Sequence, residues 1–158
     1  MGQRDPTRFV EDLGALSRAL RGLAAQSYAG VGLGSTQANL LLWIGDHPKR
    51  SQAELARATQ TDPGLAGRAL GTLLERGWVR RTRSEIDRRQ YLLDLSASGR
   101  RLRERVERTR ATMAEHVLRM LDDRDLEDFS RVTARVLAAV HAMSTEPERP
   151  GSDRGGPS

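Results

Sequence analysis

Two helix-start signals set close together constrain this chain more than any other feature. Ser51-Gln52-Ala53-Glu54 has the form of a capping box, in which the serine oxygen accepts the backbone N–H three residues on and the glutamate reaches back to the serine N–H. A short helix through about Ala58 follows. Thr59 and Gln60 give no firm stop, so the break is assigned to Thr61-Asp62-Pro63, with Asp62 as N-cap and Pro63 as the first helical residue. A second helix therefore starts only a few residues after the first, and that is helix-turn-helix spacing.

The second helix divides cleanly. At about 100° per residue, Leu65, Ala66, Ala69, Leu70, Leu73 and Leu74 fill one half of the wheel, and Gly64, Gly67, Arg68, Gly71, Thr72 and Glu75 fill the other. One half is core and the other is free to meet a partner. Arg76-Gly77 closes the helix with a cation at the negative dipole end and a glycine able to turn left-handed. Trp78 to Arg83 and Gln90 to Leu95 then read as strands. Ser84-Glu85-Ile86-Asp87-Arg88-Arg89 between them is too long for a two-residue turn and too polar for a core, so the pair is a hairpin with a charged tip.

Helices flank this middle. Phe9, Leu13, Leu16, Leu20 and Leu23 recur at steps of four and three, laying a narrow stripe that suits a seam better than a core face. Gly30, Gly32 and Gly34 break the chain. Ser35 or Thr36 is expected to cap a helix carrying Leu40, Leu41, Leu42, Trp43 and Ile44, apolar nearly all round, with Gly45 and Pro48 ending it. After the hairpin, Ser96 or Ser98 can cap a long helix with Leu102, Val106, Met113, Val117 and Leu121 inward. Asp122-Asp123 can cap another, holding Leu126, Phe129, Val132, Val136, Val140 and Met143. Residues 1–6 and the Pro-, Gly- and Ser-rich residues 146–158 are expected to be disordered.

Composition narrows the function classes. Aromatic residues are only 4% of the chain against 37% hydrophobic overall, so the core is built from Leu, Val and Ala, which favours helices. With no cysteine there are no disulfides, thiolate metal sites, cysteine nucleophiles or thiol switches. No window is apolar enough for a membrane span, and Met1 to Thr7 lacks a signal-peptide stretch, so a cytoplasmic location is expected. A phosphate-cradling glycine loop, metal-ligand spacing and a supported Ser/His/Asp arrangement are all missing, so neither an enzyme nor a cofactor is expected. His116 and His141 stand without the tight His/Glu cluster a metal needs.

The net charge of +5 is unevenly spread. Between Arg76 and Arg110, twelve arginines face five acidic residues, a local excess of +7, so the remainder sums to −2. Focusing of this kind favours a polyanion as partner. A compositional bias toward arginine also contributes, since Lys49 is the single lysine among 26 basic residues.

Taken together, these parts resemble the MarR family of dimeric bacterial transcriptional regulators. The family's wing pattern, Asp-x-Arg followed by five residues and Leu-Thr, stands here as Asp87-Arg88-Arg89, Gln90 to Asp94, and Leu95-Ser96, with serine for threonine. Ser51-Gln52-Ala53-Glu54-Leu55-Ala56 and Asp62-Pro63 also resemble family usage. The layout covers about residues 8 to 143, and the specific motifs lie between Ser51 and Gly99.

The resemblance implies a mainly α fold with a small β-hairpin wing. It would be one domain over 7–145, with dimerisation helices at about 7–28 and 98–143 and a winged helix-turn-helix at about 35–96. The expected function is a sequence-specific, double-stranded DNA-binding regulator, a ligand-responsive repressor acting as a homodimer on a palindromic operator. The stripes suit that dimer, because Phe9, Leu13, Leu16, Leu20, Phe129, Val136 and Val140 lack another obvious place to be buried. Arg68 and Thr72 would reach base edges from a face that also carries Gly64 and Gly67, while Ser51 and Gln52 would meet phosphate through backbone N–H groups. Arg89 matches the arginine that enters the minor groove and Asp87 the acid that braces it, with Arg83 and Arg88 as further phosphate or minor-groove contacts. A small aromatic or anionic effector is implied by the family alone, with Tyr28, Trp43 and His47 as candidate lining residues. Where family members carry larger side chains, this chain has Gly64, Gly67 and Gly71. Either the bare face lets the backbone approach the groove, or the chain is a winged-helix dimer with weak or lost DNA specificity, acting as a protein-interaction or architectural factor.

Overall fold

The computed structural model describes residues 5–145. Residues 1–4 and the expected tail at 146–158 lie outside the described residues. Nine elements follow one another: α1 Pro6–Ala29, α2 Ser35–Asp46, β1 Arg50–Ser51, α3 Gln52–Ala58, α4 Pro63–Glu75, β2 Val79–Arg83, β3 Tyr91–Leu95, α5 Ala97–Leu118 and α6 Asp123–Thr145. This is the expected mainly helical chain with a small sheet. The sheet has three antiparallel strands in the order β1-β3-β2, one more than the hairpin. β1 was not legible in the sequence because two residues carry no period. It exists because Arg50 and Ser51 pair with Leu93 and Leu92 of β3, after Lys49 takes a left-handed φ of 60°.

The chain divides into two compact units, one running through His116 and the other starting at Val117. In the first, the core gathers around α2. Leu40, Leu41 and Ile44 are fully buried, and Leu55, Leu70, Leu73, Leu93 and Val106 join them from α3, α4, β3 and α5. Burying each such side chain is worth about 1.5–3 kcal/mol against leaving it exposed, which is why these four elements can hold together around one apolar helix.

Local signals place most boundaries. Asp5 caps α1, its Oδ1 accepting from the N–H groups of Thr7 and Arg8, so Asp5 and Pro6 belong to the helix start and not to a disordered end. α2 starts differently from expectation: Gly34 is the N-cap, Ser35 is already helical, and the Gln37 Oε1 accepts the Gly34 N–H at 2.9 Å. Nor does Gly45 end that helix. It makes room for Arg103 of α5, whose Cδ would stand 2.5 Å from a Cβ at Gly45, and which donates to Asp46 at 2.6 Å and Glu107 at 2.9 Å.

Ser96 precedes α5, and its Oγ accepts the Gly99 N–H at 3.0 Å as a cap. The inward row of α5 stops earlier than the sequence suggests: Leu102 and Val106 are buried, while Val117 and Leu121 are exposed. In the second unit, Asp122 and Asp125 cap α6 reciprocally, each carboxylate accepting the other's backbone N–H, at 2.8 and 3.1 Å. No residue of α6 with a described side chain is buried. None of the helices, over the described residues, is long and apolar enough to cross a membrane.

Candidate nucleic-acid interface

α3, α4 and the β2–β3 hairpin are the three elements that carry the predicted interface residues. At the start of α3 the capping box closes as expected. Ser51 Oγ accepts the Glu54 N–H, and Glu54 Oε2 accepts the Ser51 N–H at 2.8 Å and its hydroxyl at 2.9 Å. These bonds, with Arg50 alongside, hold the Glu54 carboxyl below its ordinary value. The Ser51 N–H and hydroxyl are therefore both engaged inside the box, and the first N–H groups of α3 that lie outside it are those of Gln52 and Ala53. The Gln52 side chain is exposed and accepts from Arg81 of β2 at 3.5 Å, tying the start of α3 to the hairpin.

Between α3 and α4 the stop that Thr59 and Gln60 did not signal is Gln60 itself, in the left-handed region at φ 49°. Asp62 then caps α4, its Oδ1 accepting the Leu65 N–H at 2.9 Å, with Pro63 first in the helix. Ala66, Ala69, Leu70 and Leu73 are buried as the wheel predicts, but Leu65 is exposed because it lies in the first turn, ahead of the core. On the other half, Arg68 is exposed and Thr72 half-buried, its hydroxyl donating to the Arg68 carbonyl at 3.4 Å. A Cβ at Gly71 would meet nothing within 4 Å, and one at Gly67 would touch only the Gln52 amide at 3.6 Å. Packing within the chain therefore does not require either glycine.

The hairpin is fixed at both ends. At its base Gly77 turns left-handed at φ 69°, and the Ser96 hydroxyl donates to the Gly77 carbonyl at 2.6 Å. Serine in place of the family's threonine thus supplies the hydroxyl this join uses. Gly99 lets α5 lie against the Trp78 carbonyl, where a Cβ would collide with the oxygen. At the tip, buried Ser84 accepts the N–H groups of Ile86 and Asp87 through Oγ, and Gln90 N–H donates to the Asp87 carbonyl.

Asp87 braces Arg89 through the backbone: its Oδ1 accepts the Arg89 N–H at 3.0 Å. No ion pair within 4.0 Å forms between the two side chains, so the guanidinium stays available. Arg88 and Arg89 are exposed, and Arg83 stands over the Tyr91 ring at 5.7 Å, in register across the strands. Arg81 belongs with them, through Gln52, although the sequence distinguished it only as one of many arginines.

The candidate effector residues separate. Tyr28 is buried in the main core, whereas Trp43 and His47 stack at 4.6 Å beside a shallow hollow lined by Arg50, Glu54, Arg57 and Ala58. Among the described residues no group of three or more His, Asp or Glu could hold a metal.

Residues 31–90 match the model of the MarR family. Over 59 residues, 37% of its length, the chain is 41% identical to the HTH-type transcriptional regulator BilQ of Clostridium symbiosum. That match spans 41% of the relative's own length. Two solved structures share the fold. A MarR transcriptional regulator from Methanosarcina mazei superposes with a TM-score of 0.76 at 22% identity, covering 87% of this chain and 99% of that one. FabT of Streptococcus pneumoniae, solved in complex with DNA, gives 0.76 at 18% identity, covering 88% and 99%. With its capped α3 and α4 and its tethered wing, the segment matched over residues 31–90 is similar to the winged helix-turn-helix of the MarR family.

Proposed function

We propose that the chain is a double-stranded DNA-binding transcriptional regulator of the bacterial cytoplasm, acting as a homodimer on a palindromic operator as a ligand-responsive repressor. The observation that carries this reading is the wing: its turn is held by Ser84 and the Asp87 carboxylate, which leaves Arg88 and Arg89 free at its tip. Charge supports it, since the +7 excess lies between Arg76 and Arg110. The family match, and a neighbour of the same fold solved with DNA, point the same way.

A second copy would cover the apolar stripes. Phe9, Leu13, Leu16 and Leu20 on α1 are 46–52% exposed, and Phe129 and Val140 on α6 are 58% and 50% exposed, each helix carrying an apolar row that a second copy would bury. A two-fold dimer would place its half-sites about one helical turn apart. For the effector, the Trp43–His47 stack beside Arg50 and Arg57 suits a planar anion, and Tyr28 drops out of that set.

Titration of the purified chain on duplex DNA at several salt concentrations tests the main reading. Binding should fall linearly with salt on logarithmic axes, and Arg89→Ala should weaken it while leaving the dimer intact. Failure to retain any duplex at low salt would sink the regulator reading. Such a failure with an intact dimer would favour the protein-interaction alternative, which the open faces at Gly67 and Gly71 support.

A further inference from the structure

We infer that Ile86 is an apolar wedge at the wing tip that makes the protein select deformable base steps in the minor groove, an inference that rests on the DNA-binding reading above. Ile86 is 100% exposed, more than any other large apolar residue described. Phe9 to Leu20 and Phe129 to Met143 lie along helical stripes and Tyr91 lies under Arg83, while Met120, next in exposure at 82%, sits in the turn between α5 and α6, away from the charged hairpin. Ile86 belongs to no stripe and stands at the tip of the charged hairpin, between Glu85 and Asp87 and beside Arg88 and Arg89.

The loop presents this side chain rigidly. The Ile86 N–H is taken by Ser84 Oγ at 3.3 Å and the Asp87 N–H by the same oxygen at 3.2 Å, while Ser84 N–H donates to the Gln90 carbonyl at 3.0 Å. A β-branched side chain adds stiffness at χ1. Little ordering entropy would then be lost on contact, which is the advantage of a preorganised probe.

Charge selects the occupant. Arg83, Arg88 and Arg89 share the wing with Ile86, so a phosphate-lined groove is drawn to the tip while an uncharged apolar protein surface is not. Apolar wedges in a minor groove act by partly unstacking a base step, and pyrimidine–purine steps such as TA and CA/TG unstack most easily. Arginine beside the wedge supplies affinity with little step preference. Ile86 supplies the preference.

The test uses the full-length chain and duplexes recovered by selection from a random pool. Paired duplexes differ only in carrying a TA step or a stiff A-tract step where the wing meets the groove. Wild type should prefer the TA duplex. Ile86→Ser should weaken binding to it by about tenfold, the size expected for withdrawing one isoleucine from a buried contact, leave the salt slope unchanged, and abolish the preference. Arg89→Ala should instead lower the salt slope by about one and keep the preference. Because Ile86 is fully exposed, its replacement does not touch the core. Unchanged binding by Ile86→Ser overturns the wedge and leaves the DNA reading standing, as would be found if the tip met a protein. An equal loss on both duplexes also overturns it, since packing on sugars reads no step. If wild type retains no duplex, both readings fall.

Discussion

The wing and α4 lie within one stretch of sequence and prepare for a partner in opposite ways. In the wing the backbone is tied down, by Ser84, by the Asp87 carboxylate and by the Ser96 hydroxyl, while the long side chains of Arg88 and Arg89 extend outward. In α4 the inward half is locked by Ala66, Ala69, Leu70 and Leu73, and the outward half is nearly stripped of side chains at Gly64, Gly67 and Gly71. The wing offers charge on a fixed frame, and the helix offers access to its backbone. The glycines themselves teach the difference. At Gly99 a Cβ would strike the Trp78 carbonyl, so packing requires it, and at Gly45 it would displace the Arg103 side chain, but at Gly67 and Gly71 nothing in the chain calls for a missing Cβ. Each mid-helix glycine costs about 0.5–1 kcal/mol against alanine, so the bare face of α4 is carried at a loss to folding.

The largest effect should come from breaking the frame of the wing. Gly99→Ala forces α5 away from the Trp78 carbonyl and should destabilise the fold by about 3 kcal/mol or more, as severe overpacking does. Urea unfolding midpoints measure this, and a change within about 0.5 kcal/mol, the range of an ordinary surface substitution, would mean that the base of the wing is not fixed as closely as described.

Next in size is Arg68, the long exposed side chain on the bare face. If it pairs with a guanine, Arg68→Ala should cost about 1–3 kcal/mol on the best duplex and relax preference at one position of each half-site. Equal weakening on all duplexes would assign Arg68 to phosphate and leave the wing as the reader of sequence.

Much of this comparison was legible in the residues alone. The capping box, the Asp62-Pro63 start and the Arg76-Gly77 stop fixed α3 and α4 because caps are local chemistry, satisfied within four residues. Long-range features were less visible. β1 is too short to show a period and depends on β3, more than forty residues away. Gly45 looked like a stop because its reason, Arg103 of α5, is distant in sequence. Tyr28 looked like a pocket residue because an aromatic beside glycines gives no sign of which way it packs. At the site, the wing arginines were named from their pattern, whereas Arg81 and Ile86 became distinct only once the hydrogen bonds and exposure of the hairpin were in view.

A smaller effect separates the two accounts of the bare face. Gly71→Ala places a Cβ in open space and should stabilise the fold by about 0.5–1 kcal/mol. If the backbone must approach the groove, the same substitution should weaken duplex binding, so that stability and affinity move in opposite directions. Parallel melting and binding titrations decide. Higher stability with unchanged affinity would show that α4 gains nothing from its missing side chains, and the wing would carry the interface.

The smallest effect concerns how firmly the start of α3 is set beside the wing. The Glu54 carboxyl lies below its ordinary value, chiefly because it accepts the Ser51 backbone N–H, then through the Ser51 hydroxyl, with Arg50 adding to both. A lowered value means that the folded state favours the ionised form, so this contribution is fully present above the ordinary glutamate value and is lost as pH falls through the lowered one. Glu54→Gln keeps a group that can accept the Ser51 N–H and removes only the charge. Wild type should therefore exceed Glu54→Gln slightly in stability at neutral pH, and the difference should shrink as acid protonates Glu54. Urea midpoints for both proteins through the acid range measure it. A difference that grows with acidity would reverse the sign and show that the charge on Glu54 opposes the box. Because the N–H groups of Gln52 and Ala53 remain open beside that box, loss of the carboxylate's hold on the cap should also loosen duplex binding slightly on the α3 side, while the wing, pinned by neutral Ser84 and Ser96 hydroxyls and the backbone-bound Asp87, keeps its share.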